Sequence, residues 1–432
     1  MDINQIVVDL TKYVAENKPK YLYTGEFVAG KNQILYSGPY WDEQEIMAAI
    51  NTFIKGKWVV AGENVHKFEH AFAKMFNVKY AQMVNSGSSA NLVLIASLKK
   101  HFGWEDGGEV IVSPVGFPTT ISTLVQNNLK PVFIDIEYDT LNFDLDKLEE
   151  KITAKTKAIF VSPVLGNPPD MDRLTEICKK HNIQLVGDSC DSLGSKWDGK
   201  DLSSYYVAWT SSFYPAHHIS TGEGGMCCTD IPDLKKLFTS FSWWGRDCYC
   251  VGSANMLSCG TCGNRFDKWL EDYDGVIDHK YVFENMGYNL KPMDLQGSIG
   301  LVQLTKFAEI DRKRKASKAR VESILLKYVK GLKGVEMLEK ADTCWFGTPF
   351  ICENKVLKDK LISFLEANKI QTRNYFAGNI LFHPGYKHLD DFAKYPNANT
   401  VLDKVFFLGA APHYDEPVFE YMEKIFSEKW EN

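Results

Sequence analysis

The chain has 432 residues, of which 45% are hydrophobic, 24% charged and 13% aromatic, with a formal net charge of -6. These are the proportions of a folded globular protein of roughly two to three domains, and they exclude disordered and collagen-like classes. With no basic block to hold a polyanion and no apolar run as long as a membrane span, neither nucleic acid nor a membrane is an expected partner; a cytoplasmic protein is expected, its ten cysteines mostly thiols, metal ligands or small core residues.

In chain order, residues 1–40 read as an N-terminal arm, 41–300 as a large unit containing a cysteine loop at 246–266, and 301–432 as a smaller unit. Lys79 to Val84 is strand-like, and Asn85-Ser86-Gly87-Ser88-Ser89-Ala90-Asn91 leads from it into the apolar helix Leu92 to Leu98. Small residues at such a turn let backbone N–H groups approach a phosphate; the alternative is a serine N-cap with a glycine easing the turn. Apolar runs at Val110 to Val112, Pro131 to Ile136, Ala158 to Val164 and Ile183 to Val186 alternate with helix-patterned segments such as Met171 to His181. That alternation predicts an α/β layer with a mainly parallel sheet, whose ligands gather at the carboxyl ends of the strands.

Polar residues fall at those ends. Asp188 closes a strand, where its carboxylate could hold a pyridinium nitrogen or cap the next turn. Phe117, in Gly116-Phe117-Pro118-Thr119-Thr120, could stack on a ring or belong to the core. Ser212-Phe213-Tyr214-Pro215-Ala216-His217-His218 precedes Gly222-Glu223-Gly224-Gly225, and the imidazole of His217 can move a proton at neutral pH. Cys248 and Cys250 form C-x-C and Cys259 and Cys262 form C-x-x-C, with a Gly/Ser/Asn-rich segment between them; such pairs suit zinc or an iron-sulfur cluster. Cys190, two residues after Asp188, would place a cluster beside a bound ring, a position that suits an electron donor better than zinc. Cys178, Cys227, Cys228, Cys344 and Cys352 read as small core residues. Beyond Gly300 a charged helix is predicted from Arg312 to Lys330 and a last one from Glu416 to Glu428.

Together these segments resemble the fold-type I pyridoxal phosphate (PLP) sugar aminotransferase and dehydratase family, most closely its iron-sulfur 3-dehydrases of CDP-6-deoxy-4-keto-hexoses. SGSSANL, GFPTT, LGNP, DSCDSLGS, SFYPAHH, GRDCYC, DHKY, GYNLK and QTRNYFAGN carry the likeness through nearly the whole chain. The resemblance implies an aspartate-aminotransferase-like large domain with a smaller α+β C-terminal domain. It assigns phosphate contacts to Gly87, Ser88 and Ser212, ring stacking to Phe117, the pyridine-nitrogen carboxylate to Asp188, and lining of the cofactor near His217 to Asp191 and Tyr214. Asn289 would reach the phosphate of a partner subunit, which implies a homodimer. His217 stands where the aminotransferases keep their Schiff-base lysine, so it would act as the base on non-covalently held pyridoxamine phosphate (PMP).

The spacing C-x57-C-x-C of the dehydrases is met by Cys190, Cys248 and Cys250. Cys262 is preferred over Cys259 as fourth ligand, because Cys262-Gly263-Asn264-Arg265-Phe266 fits the pattern better. A 2Fe-2S cluster, a nucleotide-sugar substrate and a flavin/iron-sulfur reductase are then implied. Gly187, where the family has glutamate, and the stretch Ser203 to Trp209 depart from the pattern. The alternatives are a cluster-free PMP dehydratase, an aminotransferase, which would need a lysine that residues 211–230 do not contain, and a non-catalytic PLP-fold partner protein.

Overall fold

The computed structural model describes residues 3–17, 27–56, 59–250 and 262–431. After α1 (Ile3–Glu16), α2 (Glu43–Lys55) and α3 (Glu63–Met75), strands and helices alternate through β1 (Tyr80–Val84), α4 (Gly87–Phe102), β2 (Glu109–Val112), α5 (Pro118–Gln126), β3 (Lys130–Phe133), β4 (Thr156–Val161), α6 (Met171–His181) and β5 (Gln184–Asp188). Short β6 (Lys196–Trp197) and β7 (Lys200–Asp201) precede β8 (Ala208–Ser212), β9 (Gly225–Thr229) and α7 (Pro232–Ser242). Seven strands form one sheet in the order β1-β9-β8-β5-β4-β2-β3. Neighbours from β3 to β8 are parallel, and β9 runs antiparallel to both of its neighbours.

The predicted mainly parallel sheet is thus present. Its strands are apolar on both faces because both faces are covered. α4, α5 and α7 pack on one side, while α3, α6 and the start of α8 pack on the other. β4 stops at Val161 rather than Val164: Pro163 has no N–H to give to the ladder.

A small hairpin, β10 (Phe266–Asp267) with β11 (Ile277–Asp278), leads into the 35-residue helix α8 (Asp294–Tyr328). This helix begins 18 residues before the predicted Arg312. Its first turns contain Gly297 and Gly300, residues that read as helix breakers, but here they let α3 approach. A Cβ on Gly297 would lie 2.4 Å from the Val65 nitrogen, and one on Gly300 would lie 2.6 Å from the Phe68 ring. Asp294 also caps α3 from outside, accepting from the Asn64 and Val65 N–H groups at 2.9 and 3.0 Å.

Beyond α8, β12 (Leu332–Gly334), β14 (Gly347–Cys352), β15 (Arg373–Asn374) and β16 (Val405–Gly409) form an antiparallel sheet, while β13 (Ala341–Asp342) joins β6 and β7. α9 (Lys355–Ala367), α10 (Pro396–Lys404) and α11 (Glu416–Lys429) accompany this layer, the last helix starting where the sequence placed it. Ile34 bridges to Ile370 and is buried in the core of the same layer.

The two departures at Gly187 and at 203–209 meet in one packing contact. The Tyr206 ring covers Gly187, so that a Cβ on residue 187 would meet it at 2.4 Å. Gly187→Ala should therefore lose about 1–3 kcal/mol of stability by overpacking. In urea denaturation Gly187→Ala combined with Tyr206→Ala should lose less than the sum of the two single changes.

Candidate active site

The carboxyl ends of β1, β2, β4, β5 and β8 open on a cavity of about 690 Å³. Gly87, Ser88, Phe117, Asp188, Cys190, Asp191, Ser212, Tyr214 and His217 all line it. At one end lies the start of α4. The Ser86 hydroxyl accepts from the Ser89 N–H at 3.1 Å, so this serine is a helix cap, and the turn it caps also faces the cavity. The serine N-cap reading of the segment therefore holds, and Gly87 and Ser88 beside it line the cavity. Gly87 cannot carry a side chain: a Cβ there would be 2.5 Å from the Ser212 Cβ and 3.1 Å from the Cys190 sulfur. A 16-residue helix beginning on bare glycine beside two serine hydroxyls is a cradle for an anion.

At the other end Asp188 is buried, with its carboxylate fixed from two sides. Its Oδ2 accepts from Asn91 Nδ2 at 2.8 Å and from Thr120 Oγ1 at 2.6 Å, and the Asn91 amide is in turn fixed by Thr210 at 2.6 Å. Oδ1 accepts a longer bond of 3.3 Å from the Cys190 N–H. Asn91 and Thr120 were given no role from sequence. The available signal was a polar residue within the apolar run Ala90 to Leu98, since a buried amide needs a polar partner.

His217 follows a turn closed by its own N–H to the Tyr214 carbonyl at 2.9 Å. Its ring lies 5.1 Å from that of Phe346, and its Nδ1 is 3.5 Å from Asp191 Oδ1 without an aligned hydrogen bond. Burial, followed by the charge of Arg314, pushes the imidazole down to about 3, so at neutral pH it is an uncharged base. Burial and the nearby Asp188 charge raise Asp191 to about 7. Phe117 is half exposed, its ring edge-on to Phe376 at 6.3 Å. Arg373 stands on the cavity wall with its guanidinium 4.2 Å from the Tyr36 ring centroid.

The remaining predicted residues lie elsewhere. Asn289 bridges to Trp243 and accepts from Lys291, outside this cavity. Cys248 and Cys250 are buried next to each other, near Arg265 and Lys280; Cys262 is exposed, and Cys259 lies outside the described residues. Among the described residues no three His, Cys, Asp or Glu side chains gather around a possible metal position. The expected tetrad of Cys190, Cys248, Cys250 and Cys262 is therefore not assembled there. Cys190 follows the end of β5 and packs under Gly87 and Ser212, whereas the C-x-C pair follows α7, which flanks the β1 edge of the sheet. Sequence spacing alone carried no information on that separation. Cys178, Cys227, Cys228, Cys344 and Cys352 are buried, as small core residues are.

A model of the DegT/DnrJ/EryC1/StrS aminotransferase family matches residues 41–425. The chain belongs to this family. Among DegT/DnrJ/EryC1/StrS relatives, it is 37% identical over 411 residues to a dTDP-4-dehydro-2,6-dideoxy-D-glucose 3-dehydratase of Saccharopolyspora spinosa, covering 92% of this chain and 86% of the relative. It is 33% identical to a GDP-4-keto-6-deoxy-D-mannose 3-dehydratase of Yersinia pseudotuberculosis, over 84% of this chain and 88% of the relative. The solved structure of the E. coli GDP-4-keto-6-deoxy-D-mannose-3-dehydratase with bound hydrated PLP superposes with a TM-score of 0.78 at 28% identity, covering 91% of this chain and 99% of that one. The fold is thus the fold-type I PLP-enzyme fold anticipated from the sequence. No helix among the described residues is long and apolar enough to cross a membrane.

Proposed function

We propose that the protein is a PMP-dependent 3-dehydratase of a nucleotide-linked 4-keto-6-deoxyhexose. The observation that carries this reading is His217: an uncharged imidazole stands in the cofactor-sized cavity at the position of the family's lysine, and relatives that the chain matches over most of its length are named as 3-dehydratases.

The cavity's residues fit PMP. Gly87, Ser88 and Ser212 would hold the phosphate at the start of α4, Phe117 would lie against the ring, and Asp188, fixed by Asn91 and Thr120, would keep a pyridine nitrogen protonated. When bound, PMP supplies an amine that condenses with a C4 ketone and a ring that acidifies the hydrogens beside that amine. The uncharged His217 imidazole, whose Nδ1 faces Asp191, is the group that takes a proton. The imidazolium so formed is steadied by the Asp191 carboxylate and is the acid that delivers a proton to the departing C3 oxygen. Phe346 and Tyr214 flank the imidazole and limit the entry of water. Arg373 offers its guanidinium to the diphosphate of the nucleotide, and Asn289 serves the cofactor phosphate of a second subunit in a homodimer.

The finer form of the reading has CDP as the nucleotide and a 2Fe-2S cluster fed by a flavin/iron-sulfur reductase. Its support is the spacing C-x57-C-x-C. A cluster-free dehydratase, which needs no reductase, is the alternative, and no step above passes through a cluster. Iron and acid-labile sulfide measured on anaerobically purified protein separate the two. About two of each per chain supports the cluster, and absence of both with PLP bound supports the cluster-free enzyme. The core reading is tested with CDP-, GDP- and dTDP-linked 4-keto-6-deoxyhexoses; loss of water from any of them supports it, and inertness toward all three overturns it.

A further inference from the structure

Arg314 lies on α8 with its side chain only 1% exposed, one of the largest fully buried side chains among the described residues. A buried guanidinium is costly unless its donors are used. All four of its described hydrogen bonds end on backbone carbonyls: Nη1 donates to Trp345 and Phe346 at 3.3 and 3.1 Å, and Nη2 to Ala216 and His217 at 3.1 and 2.9 Å. One planar fork therefore joins two chain segments. One leaves β8 of the seven-stranded sheet and carries His217; the other enters β14 of the C-terminal sheet and carries Phe346. The side chains of those two residues meet in the cavity.

We propose that Arg314 is a positioning residue for the reaction, a clamp that fixes the His217 imidazole against Phe346 by holding both backbones from beneath. This rests on the dehydratase reading for what His217 does; the geometry of the clamp does not depend on the substrate. Only a planar group with paired donors on two nitrogens can satisfy two pairs of carbonyls at once, so Lys is not an equivalent residue here. Ser37, whose hydroxyl donates to the same Ala216 carbonyl at 2.8 Å, does not reach His217 and serves as the internal comparison.

The test compares Arg314→Lys, Arg314→Gln and Ser37→Ala with the wild type, all loaded with PMP. A misplaced base lowers kcat by roughly 10- to 100-fold, and both Arg314 variants should show such a fall while KM for the nucleotide sugar and the PLP affinity stay near wild type. Ser37→Ala should keep a near-normal kcat. An unchanged kcat in Arg314→Lys overturns the proposal, as does a fall matched by equal losses in KM and PLP affinity, which is the signature of a general structural role. If neither Arg314 variant is soluble, a crystal structure of the wild type with PLP decides: the guanidinium on the His217 and Phe346 carbonyls supports the clamp, and its displacement overturns it. Wild-type inertness toward all three nucleotide sugars counts against the dehydratase reading, and the crystallographic result still judges the clamp.

Discussion

Replacing His217 by lysine should give a PLP form that borohydride fixes to the chain, while dehydration falls by about 10²- to 10⁴-fold, the usual share of a positioned acid–base group. The wild type should release all of its PLP on denaturation after the same treatment. The expectation follows from the ring's position: His217 sits on a turn at the end of β8, inside the cavity and facing Asp191, with no lysine between Ser211 and Asp230 and with the neighbouring His218 ring engaged at the Cys344 carbonyl. An amine there competes for the cofactor's aldehyde and removes the neutral base in one step. His217→Asn separates the two effects, since it should lose dehydration to a similar degree without any covalent attachment. Mass spectrometry of the reduced protein and a continuous dehydration assay read both; a normally active His217→Asn enzyme would assign the base elsewhere.

Asp188→Asn should lower kcat by about 10²- to 10³-fold, the loss typical of a preorganised electrostatic partner in a water-poor site. Its carboxylate is held by Asn91 and Thr120, so the substitution keeps the shape and removes the charge that holds a pyridine nitrogen protonated. PLP should still bind, because the Gly87, Ser88 and Ser212 cradle is untouched, and the absorbance of bound PLP should shift toward that of an unprotonated ring. Loss of binding with an unchanged spectrum in the residual complex would instead make Asp188 a structural cap. Asn91→Ala should have a smaller effect in the same direction, since Thr120 still donates to Asp188.

The cavity was readable from sequence wherever chemistry followed local pattern. The apolar runs are strands, and Gly87, Phe117, Asp188 and Ser212 fall at or just beyond their carboxyl ends, so predicting the sheet also predicted the meeting point of residues distant in sequence. What escaped depends on packing between elements. Gly297 and Gly300 hid the first half of α8 because their use is a close helix crossing with α3. Arg314 carried no signal, being one more charge in a charged helix until the fold buried it under His217. Gly187 and the 203–209 stretch read as two unrelated departures, and only the Tyr206 ring lying over the glycine connects them. The cysteines show the reverse case. Their spacing follows a pattern closely, yet Cys190 stands after β5 and the C-x-C pair after α7, and among the described residues no three such ligands gather.

The most direct measurement of the central claim is the fate of the C3 oxygen. A nucleotide-linked 4-keto-6-deoxyhexose labelled with ¹⁸O at C3 is incubated with PMP-loaded enzyme, and product and water are examined by mass spectrometry. The account predicts that the label leaves as water, that it does so only with PMP present, and that His217→Asn abolishes the release. A product aminated at C4 with the C3 label retained would contradict it and return the chain to the transaminating branch of its family.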